Sequence, residues 1–236
     1  MGPTYSLNKI DNIYVSKTDS SPQKASKNAK KETLFIWDWD DTLMCSSYIK
    51  PKNDFSDDEK NMMYNLGKIV AKFLIECSKY GKIIIMTNST EKWMKTTSTN
   101  YLKIDKNLIE NLKIISTRDK YSKKGISAKK WKEMALEELL IKYGEQIKNL
   151  ICASDSESDI EVFKNISKKF DEINISTIKF KSNPTPHTMI EEIKYLNNSL
   201  NKIIGTNKHY YLIKEKEKKD DFNFSFGYLL DYIFPN

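Results

Sequence analysis

Short apolar segments alternate with longer segments of helical periodicity along most of the chain. The apolar segments are residues 34–37, 83–86, 112–115, 150–153 and 175–180. Such strands are typical of a parallel sheet, because helices cover both of its faces. Right-handed crossovers between them produce a doubly wound arrangement. We therefore predict an α/β fold with a Rossmann-like, doubly wound parallel sheet that has helices on both faces.

The longest helical segment carries signals for both of its ends. Ser56 and Glu59 have the spacing of a capping box, which predicts a helix over residues 58–80. Gly81 follows, and glycine is the residue at which many helices end. The sequence thus predicts that Gly81 terminates this helix.

The two ends of the chain differ in composition from its middle. Residues 1–32 are rich in Ser, Lys and Asn, and we predict a disordered arm. Residues 33–205 are predicted to form one folded domain. Residues 206–236 are a predicted extension, charged at 214–221 and aromatic from 222 onwards. The aromatic part either packs onto the domain, which we favour, or docks a partner or a membrane surface.

The net charge of +7 raises the question of nucleic-acid binding. Arg118 is the only arginine, so lysine supplies almost all of the positive charge. Because the planar guanidinium is the better group for recognising bases and phosphates, we do not expect specific nucleic-acid binding.

Cysteine usage and hydropathy bear on the compartment. Cys45, Cys77 and Cys152 are widely spaced and odd in number, which favours free thiols in a reducing compartment. No apolar stretch reaches the roughly 20 residues that a transmembrane helix needs, and the first residues lack the apolar core of a signal peptide. We expect a cytoplasmic protein, with the nucleus as the alternative.

Acidic and hydroxyl side chains follow three of the predicted strands. They are Asp38, Asp40 and Thr42 after the first strand, Thr87 after the second, and Asp155 and Asp159 after the fourth. The carboxyl ends of parallel strands meet at one edge of a sheet, where such folds bind their ligands. Carboxylates this close repel one another unless a cation lies among them, and hard oxygen ligands favour Mg²⁺. The sequence therefore predicts a magnesium site at this edge.

The spacing of these residues resembles the signatures of the haloacid-dehalogenase-like (HAD) hydrolase superfamily over roughly residues 33–204. Asp38-x-Asp40-x-Thr42 is similar to the first signature, Thr87 to the second, and Ser154-Asp155-x-x-x-Asp159 to the fourth. The third signature is a single lysine. We choose Lys132, which follows Trp131 at the start of a predicted helix, over three rivals: Lys124, Lys129 and Lys130.

The resemblance implies a two-step phosphoryl transfer. Asp38 would attack phosphorus and become an aspartyl-phosphate. Asp40 would protonate the leaving oxygen and then deprotonate the water that cleaves the intermediate. Mg²⁺ would be held by the carboxylates of Asp38 and Asp155 and the backbone carbonyl of Asp40, with Asp159 acting through a coordinated water.

The same resemblance assigns residues to the substrate. The Thr87 hydroxyl and the Lys132 ammonium would hold the phosphate oxygens. Thr42 and Asn88 are assigned to substrate binding. Trp39 stands between the two acidic residues of the first signature, and its ring is expected to point away from the site.

HAD hydrolases often cover small substrates with an inserted cap domain. The intervals from Thr42 to Thr87 and from Thr87 to Lys132 are too short to hold one. We therefore expect a capless phosphatase with an open site, flanked by a flap from residues 43–55, that acts on a phosphorylated protein or another large molecule.

Two other functions use similar residues. A signalling receiver module also phosphorylates an aspartate beside Mg²⁺, a threonine and a lysine, but Asp40 would speed loss of the phosphoryl group that a receiver must retain. An inactive HAD-like scaffold could bind a partner through the aromatic tail. The phosphatase is preferred because every acidic signature position is filled.

Overall fold

The fold is built on a six-stranded parallel sheet with the strand order β3-β2-β1-β4-β5-β6. The computed structural model describes residues 32–52 and 54–212. Its strands are β1 (Glu32–Trp37), β2 (Gly81–Thr87), β3 (Lys113–Ser116), β4 (Ile147–Ser154), β5 (Asn174–Lys179) and β6 (His209–Tyr211). All five neighbouring pairs are parallel. The predicted doubly wound α/β fold is confirmed.

Eight helices accompany the strands in the described residues. They are α1 (Ser46–Ile49), α2 (Asp57–Ser78), α3 (Glu91–Asn100), α4 (Lys106–Glu110), α5 (Thr117–Tyr121), α6 (Trp131–Tyr143), α7 (Glu157–Ser167) and α8 (Pro186–Ile203). Short 3₁₀ turns occur at Ser122–Lys124, Ala128–Lys130 and Gly144–Gln146. None of these helices is long and apolar enough to cross a bilayer.

Each face of the sheet has its own apolar core. Phe35 and Trp37 of β1 point to one face, where the side chains of α2 and α8 pack against them. Leu34 and Ile36 point to the other face and pack with α6 and α7. Successive residues of a strand alternate between faces, so an apolar strand fills both cores. β1 and β4 lie side by side, and the direction of the strand order reverses between them.

The end of α2 differs from the prediction. The Ser56–Glu59 capping box forms as expected, but α2 ends at Ser78 with Lys79 in a right-handed conformation. Gly81 is instead the first residue of β2. A Cβ atom there would lie 2.0 Å from the Thr33 carbonyl oxygen. Glycine is therefore required by the close approach of β1, not by the end of the helix.

The sheet also continues past the predicted boundary at residue 205. β6 pairs with β5 and brings His209–Tyr211 into the sheet. Residues 1–31, where the predicted N-terminal arm falls, lie outside the described residues, as do Asn53 and residues 213–236 with the charged run and aromatic tail. Those predictions stay predictions.

No inserted cap domain is found within the described ranges. Only α1, α2 and β2 follow the first signature before Thr87, and only α3 to α5, β3 and short turns separate Thr87 from Lys132. The first part of the segment predicted as a flap, residues 43–55, is packed into the fold, because Leu43, Met44 and Cys45 are all buried in the core.

Candidate active site

Asp38 lies at the carboxyl end of β1 and is almost fully buried. Its backbone N–H donates to the carbonyl of Ala153 on β4 at 3.0 Å. One carboxylate oxygen, Oδ1, accepts a hydrogen bond from the Trp39 amide at 2.7 Å. The other, Oδ2, lies 2.7 Å from Lys132 Nζ and accepts a hydrogen bond from Ser154 Oγ at 3.1 Å. The strand end thus presents a carboxylate in one fixed orientation.

Lys132 is the lysine that the fold brings to Asp38. Its side chain enters from the first turn of α6 and is only 2% exposed, whereas Lys124, Lys129 and Lys130 are exposed. Its Nζ also lies 2.5 Å from Asp159 Oδ2. Burial alone would lower the pKa of Lys132, but the two carboxylates outweigh it and hold that pKa above its ordinary value. Lys132 is therefore a buried cation between two carboxylates.

Asp155 and Asp159 follow β4, as predicted, but have different surroundings. Asp159 Oδ2 accepts hydrogen bonds from Lys132 and from Ser154 Oγ, the latter at 2.7 Å. Asp155 has no cation in contact with its carboxylate among the hydrogen bonds and ion pairs of the described residues. Burial and the charge of Asp38 raise the pKa of Asp155 to about 7.

The pKa of the Asp38 carboxyl is also raised. Burial raises its pKa to about 6, against the opposing effect of Lys132, and the negative charge of Asp159 contributes further. One lysine therefore does not fully neutralise this group of carboxylates.

Asp40 has a separate set of hydrogen-bond donors. Its Oδ1 accepts from Ser46 Oγ at 2.5 Å and from Trp93 Nε1 at 2.9 Å. Its Oδ2 accepts from Ser89 Oγ at 2.6 Å and from Thr87 Oγ1 at 3.3 Å. Burial would raise the pKa of Asp40, but the donated hydrogen bonds lower it below its ordinary value. Three of these donors, Ser46, Ser89 and Trp93, were missed from the sequence.

The turn after β1 also contains Asp41 and Trp39, which have partners of their own. Asp41 adopts a left-handed conformation with φ of 55°, and its carboxylate accepts hydrogen bonds from the backbone and side chain of Ser47. The Trp39 ring is buried, and its Nε1 donates to Thr97 Oγ1 at 2.9 Å. The expectation that this ring points away from the site is confirmed.

Thr42 and Asn88, the two residues assigned to substrate binding, differ in their exposure and in their hydrogen bonds. Thr42 is fully buried, and its hydroxyl accepts a hydrogen bond from the Asp155 amide at 3.0 Å. It ties the loops after β1 and β4 together, and its contact with substrate stays a prediction. Asn88 is partly exposed; its Oδ1 accepts from Thr117 Oγ1 and its carbonyl from Arg118 Nε.

The four residues assigned to the metal site have different surroundings. Within residues 32–52 and 54–212, no group of three or more His, Cys, Asp or Glu side chains is arranged to hold a metal ion. The carboxylates of Asp40 and Asp159 are occupied by the hydrogen bonds described above. Asp38 and Asp155 remain, and each has a raised pKa in part because of a neighbouring carboxylate. This pair fits a divalent cation, which would relieve that repulsion.

Comparisons with known proteins gave a family match and a similar solved structure. A model of the NLI interacting factor-like phosphatase family matches residues 33–202, a range that runs from β1 into α8 and includes every site residue named above. A solved structure of the HAD domain of effector protein Lem4 from Legionella pneumophila is similar at 15% identity and a TM-score of 0.46, covering 75% of this chain and 97% of that chain. No curated protein matches the chain.

Proposed function

Because the chain belongs to the NLI interacting factor-like phosphatase family, a family of HAD-like phosphatases, we propose that it hydrolyses phosphate monoesters through an aspartyl-phosphate on Asp38, with Mg²⁺ as cofactor. Family membership makes the chain a phosphatase that acts on a phosphorylated substrate; the intermediate, the metal and the substrate class are the proposed parts. The observation that carries the proposal is the buried Asp38 carboxylate, held 2.7 Å from Lys132 Nζ at the switch point of the sheet.

Two proton transfers accompany the proposed chemistry. In the first step an Asp38 carboxylate oxygen bonds to phosphorus, the bond to the leaving oxygen breaks, and Asp40 gives that oxygen its proton. In the second step a water attacks phosphorus, Asp40 takes the proton of that water, and Asp38 and inorganic phosphate are released. Lys132 supports both steps, since it holds Asp38 in place and offsets the charge of the phosphoryl oxygens.

The proposed metal ligands are the three that the family resemblance implies for direct contact with the ion. The Asp38 and Asp155 carboxylates and the Asp40 backbone carbonyl would hold Mg²⁺, with water in the other positions. When bound, the ion would offset repulsion between the Asp38 carboxylate and the incoming phosphate. Asp159 acts on this site by holding Lys132, to which it lies 2.5 Å away.

Magnesium is expected to stabilise the protein more at pH 8 than at pH 5. The pKa values of Asp38 and Asp155 rise from 3.8 to about 6 and about 7 on folding. Because folding raises both pKa values, the protonated carboxyl groups stabilise the folded state. This stabilisation is lost as the pH rises through the pKa values of the folded protein. In chelator the unfolding midpoint should therefore fall between about pH 4 and pH 8. Mg²⁺, which binds the ionised carboxylates, should recover about 2.7 kcal/mol at a hundred times its Kd.

Thermal unfolding with and without Mg²⁺ measures this effect independently of turnover. Asp155→Asn should abolish most of the stabilisation by the ion at pH 8. Asp171→Asn, at an exposed position outside the site, should retain it. An equal Mg²⁺ effect in both variants would contradict the proposed ligands.

The proposed substrate is a phosphorylated protein or another large molecule. The described part of the chain has no inserted domain over the site, which supports a substrate too large for a capped one. We expect phosphopeptides to be hydrolysed with a kcat/KM at least about tenfold above that of small phosphate metabolites, a difference of 1.4 kcal/mol from contacts outside the phosphate. The measurement is initial rates across a panel of both classes. A strong preference for one small metabolite would refute this assignment.

A further inference from the structure

The Asp40 carboxylate is held by donors from three separate parts of the fold. Ser46 belongs to α1, Ser89 follows β2, and Trp93 lies in the first turn of α3. Their donor atoms lie 2.5, 2.6 and 2.9 Å from the Asp40 oxygens. The Asp40 carboxylate therefore has a defined direction before any substrate binds.

Trp93 is itself fixed by the structure of α3. Its backbone N–H donates to the capping side chain of Thr90 at 3.1 Å, and its carbonyl accepts a hydrogen bond from Thr97 Oγ1 at 2.9 Å. Its ring packs partly buried against the core, and Lys50 Nζ lies 5.9 Å from the ring centroid. The indole N–H is thus held on a rigid element and aimed at Asp40.

We propose that Trp93 and Ser89, assisted by Ser46, are positioning residues that hold Asp40 for proton transfer to the leaving oxygen. The inference rests on the proposed function, in which Asp40 is the proton donor. As the bond from phosphorus to the leaving oxygen breaks, its electron pair goes to that oxygen, which takes the proton from Asp40. The three donors act by holding the Asp40 carboxyl in one direction, so that it faces the leaving oxygen when the proton is transferred.

The rate that proton donation by Asp40 contributes depends on the leaving group of the ester. A nitrophenolate leaves easily as an anion and gains little from a proton, whereas a more basic phenolate needs the proton in the transition state. Removal of a donor to Asp40 should therefore slow the ester with the poor leaving group more than the ester with the good one. A general loss of structure would slow both alike.

The experiment measures kcat/KM of the full-length protein on a series from nitrophenyl phosphate to phenyl phosphate, in Mg²⁺. The esters share one scaffold, so contacts to the rest of a substrate cannot mimic the effect. Trp93→Phe removes the indole N–H and keeps an aromatic ring. We expect it to lower kcat/KM for phenyl phosphate at least about tenfold more than for nitrophenyl phosphate. A tenfold difference corresponds to about 1.4 kcal/mol, which the loss of one hydrogen bond to a charged group can account for.

A second pair of variants tests the inference even if Trp93→Phe fails to fold. Ser89→Ala removes a hydroxyl and should steepen the dependence on the leaving group, whereas Ser89→Thr keeps the hydroxyl and should restore it. Trp131→Phe loses an indole N–H that donates to the Ile126 carbonyl at 2.9 Å instead of to Asp40, and it should leave the dependence unchanged.

Two outcomes overturn the inference and are distinguishable. Equal losses on all esters in Trp93→Phe and Ser89→Ala, or a change in KM alone, would refute the positioning role while leaving the proposed phosphatase chemistry intact. A wild-type protein that hydrolyses none of the esters would refute the proposed function, and the inference with it.

Discussion

Asp38→Asn should lower kcat for an aryl phosphate by about four orders of magnitude or more, the scale of loss when a hydrolase loses its nucleophile. Asparagine has nearly the shape of aspartate but cannot form the acyl-phosphate. The buried Lys132 ammonium loses one carboxylate partner but keeps Asp159, at 2.5 Å. We therefore expect a folded protein without turnover.

Two measurements separate loss of chemistry from loss of structure. Acid quenching during turnover of a labelled substrate should trap phosphate on the wild-type protein and none on Asp38→Asn. Asp171→Asn, an exposed aspartate outside the site, should turn over and trap phosphate as the wild type does. Circular dichroism should be the same for all three proteins. Turnover that persists in Asp38→Asn would remove Asp38 from the role of nucleophile.

Lys132→Met should lower the free energy of unfolding by about 3–5 kcal/mol as well as abolish activity. Methionine replaces the volume of the side chain but leaves the carboxylates of Asp38 and Asp159 buried without their shared cation. Breaking a buried ion pair from one side has a cost of this size, because the remaining charge is neither hydrated nor paired. Urea denaturation at pH 8, in chelator, measures the effect without a contribution from bound metal.

Matched variants make the Lys132 prediction specific. Lys130→Met changes an exposed lysine two residues away and should shift stability by no more than about 0.5 kcal/mol. Adding Asp159→Asn to Lys132→Met should recover part of the loss, because the two positions are in contact and their effects are coupled by about 0.5–3 kcal/mol. A larger effect at Lys130 than at Lys132 would show that the wrong lysine has been assigned.

Much of the site could be predicted because strand ends are readable in the sequence. An apolar segment that stops at Asp38 marks the carboxyl end of a strand, and so does the segment that stops before Asp155. Parallel pairing then brings both ends to one edge, and the structure has β1 and β4 as neighbours. Lys132 was harder to identify, since only its place at a helix start distinguished it from exposed lysines nearby.

The features that the sequence did not reveal depend instead on contacts between parts of the chain that are far apart in the sequence. Gly81 follows a helix in the sequence, but the space that a side chain would need there is filled by the carbonyl of Thr33 on a neighbouring strand. Thr42 lies in the first signature, but its hydroxyl accepts a hydrogen bond from Asp155, 113 residues away. β6 has only three residues, which is too short to produce a recognisable strand pattern.

The sequence by itself determined five of the six strands, the longer helices and the edge where the acidic residues meet, because hydrophobic periodicity reports which face of each element is buried. Only the tertiary structure decided which partners each carboxylate has: Lys132 for Asp38 and Asp159, and Ser46, Ser89 and Trp93 for Asp40. A hydrogen bond such as the one from Trp93 to Asp40, across 53 positions, depends on where two side chains point after the elements have packed. Periodicity along one element carries no information about that direction.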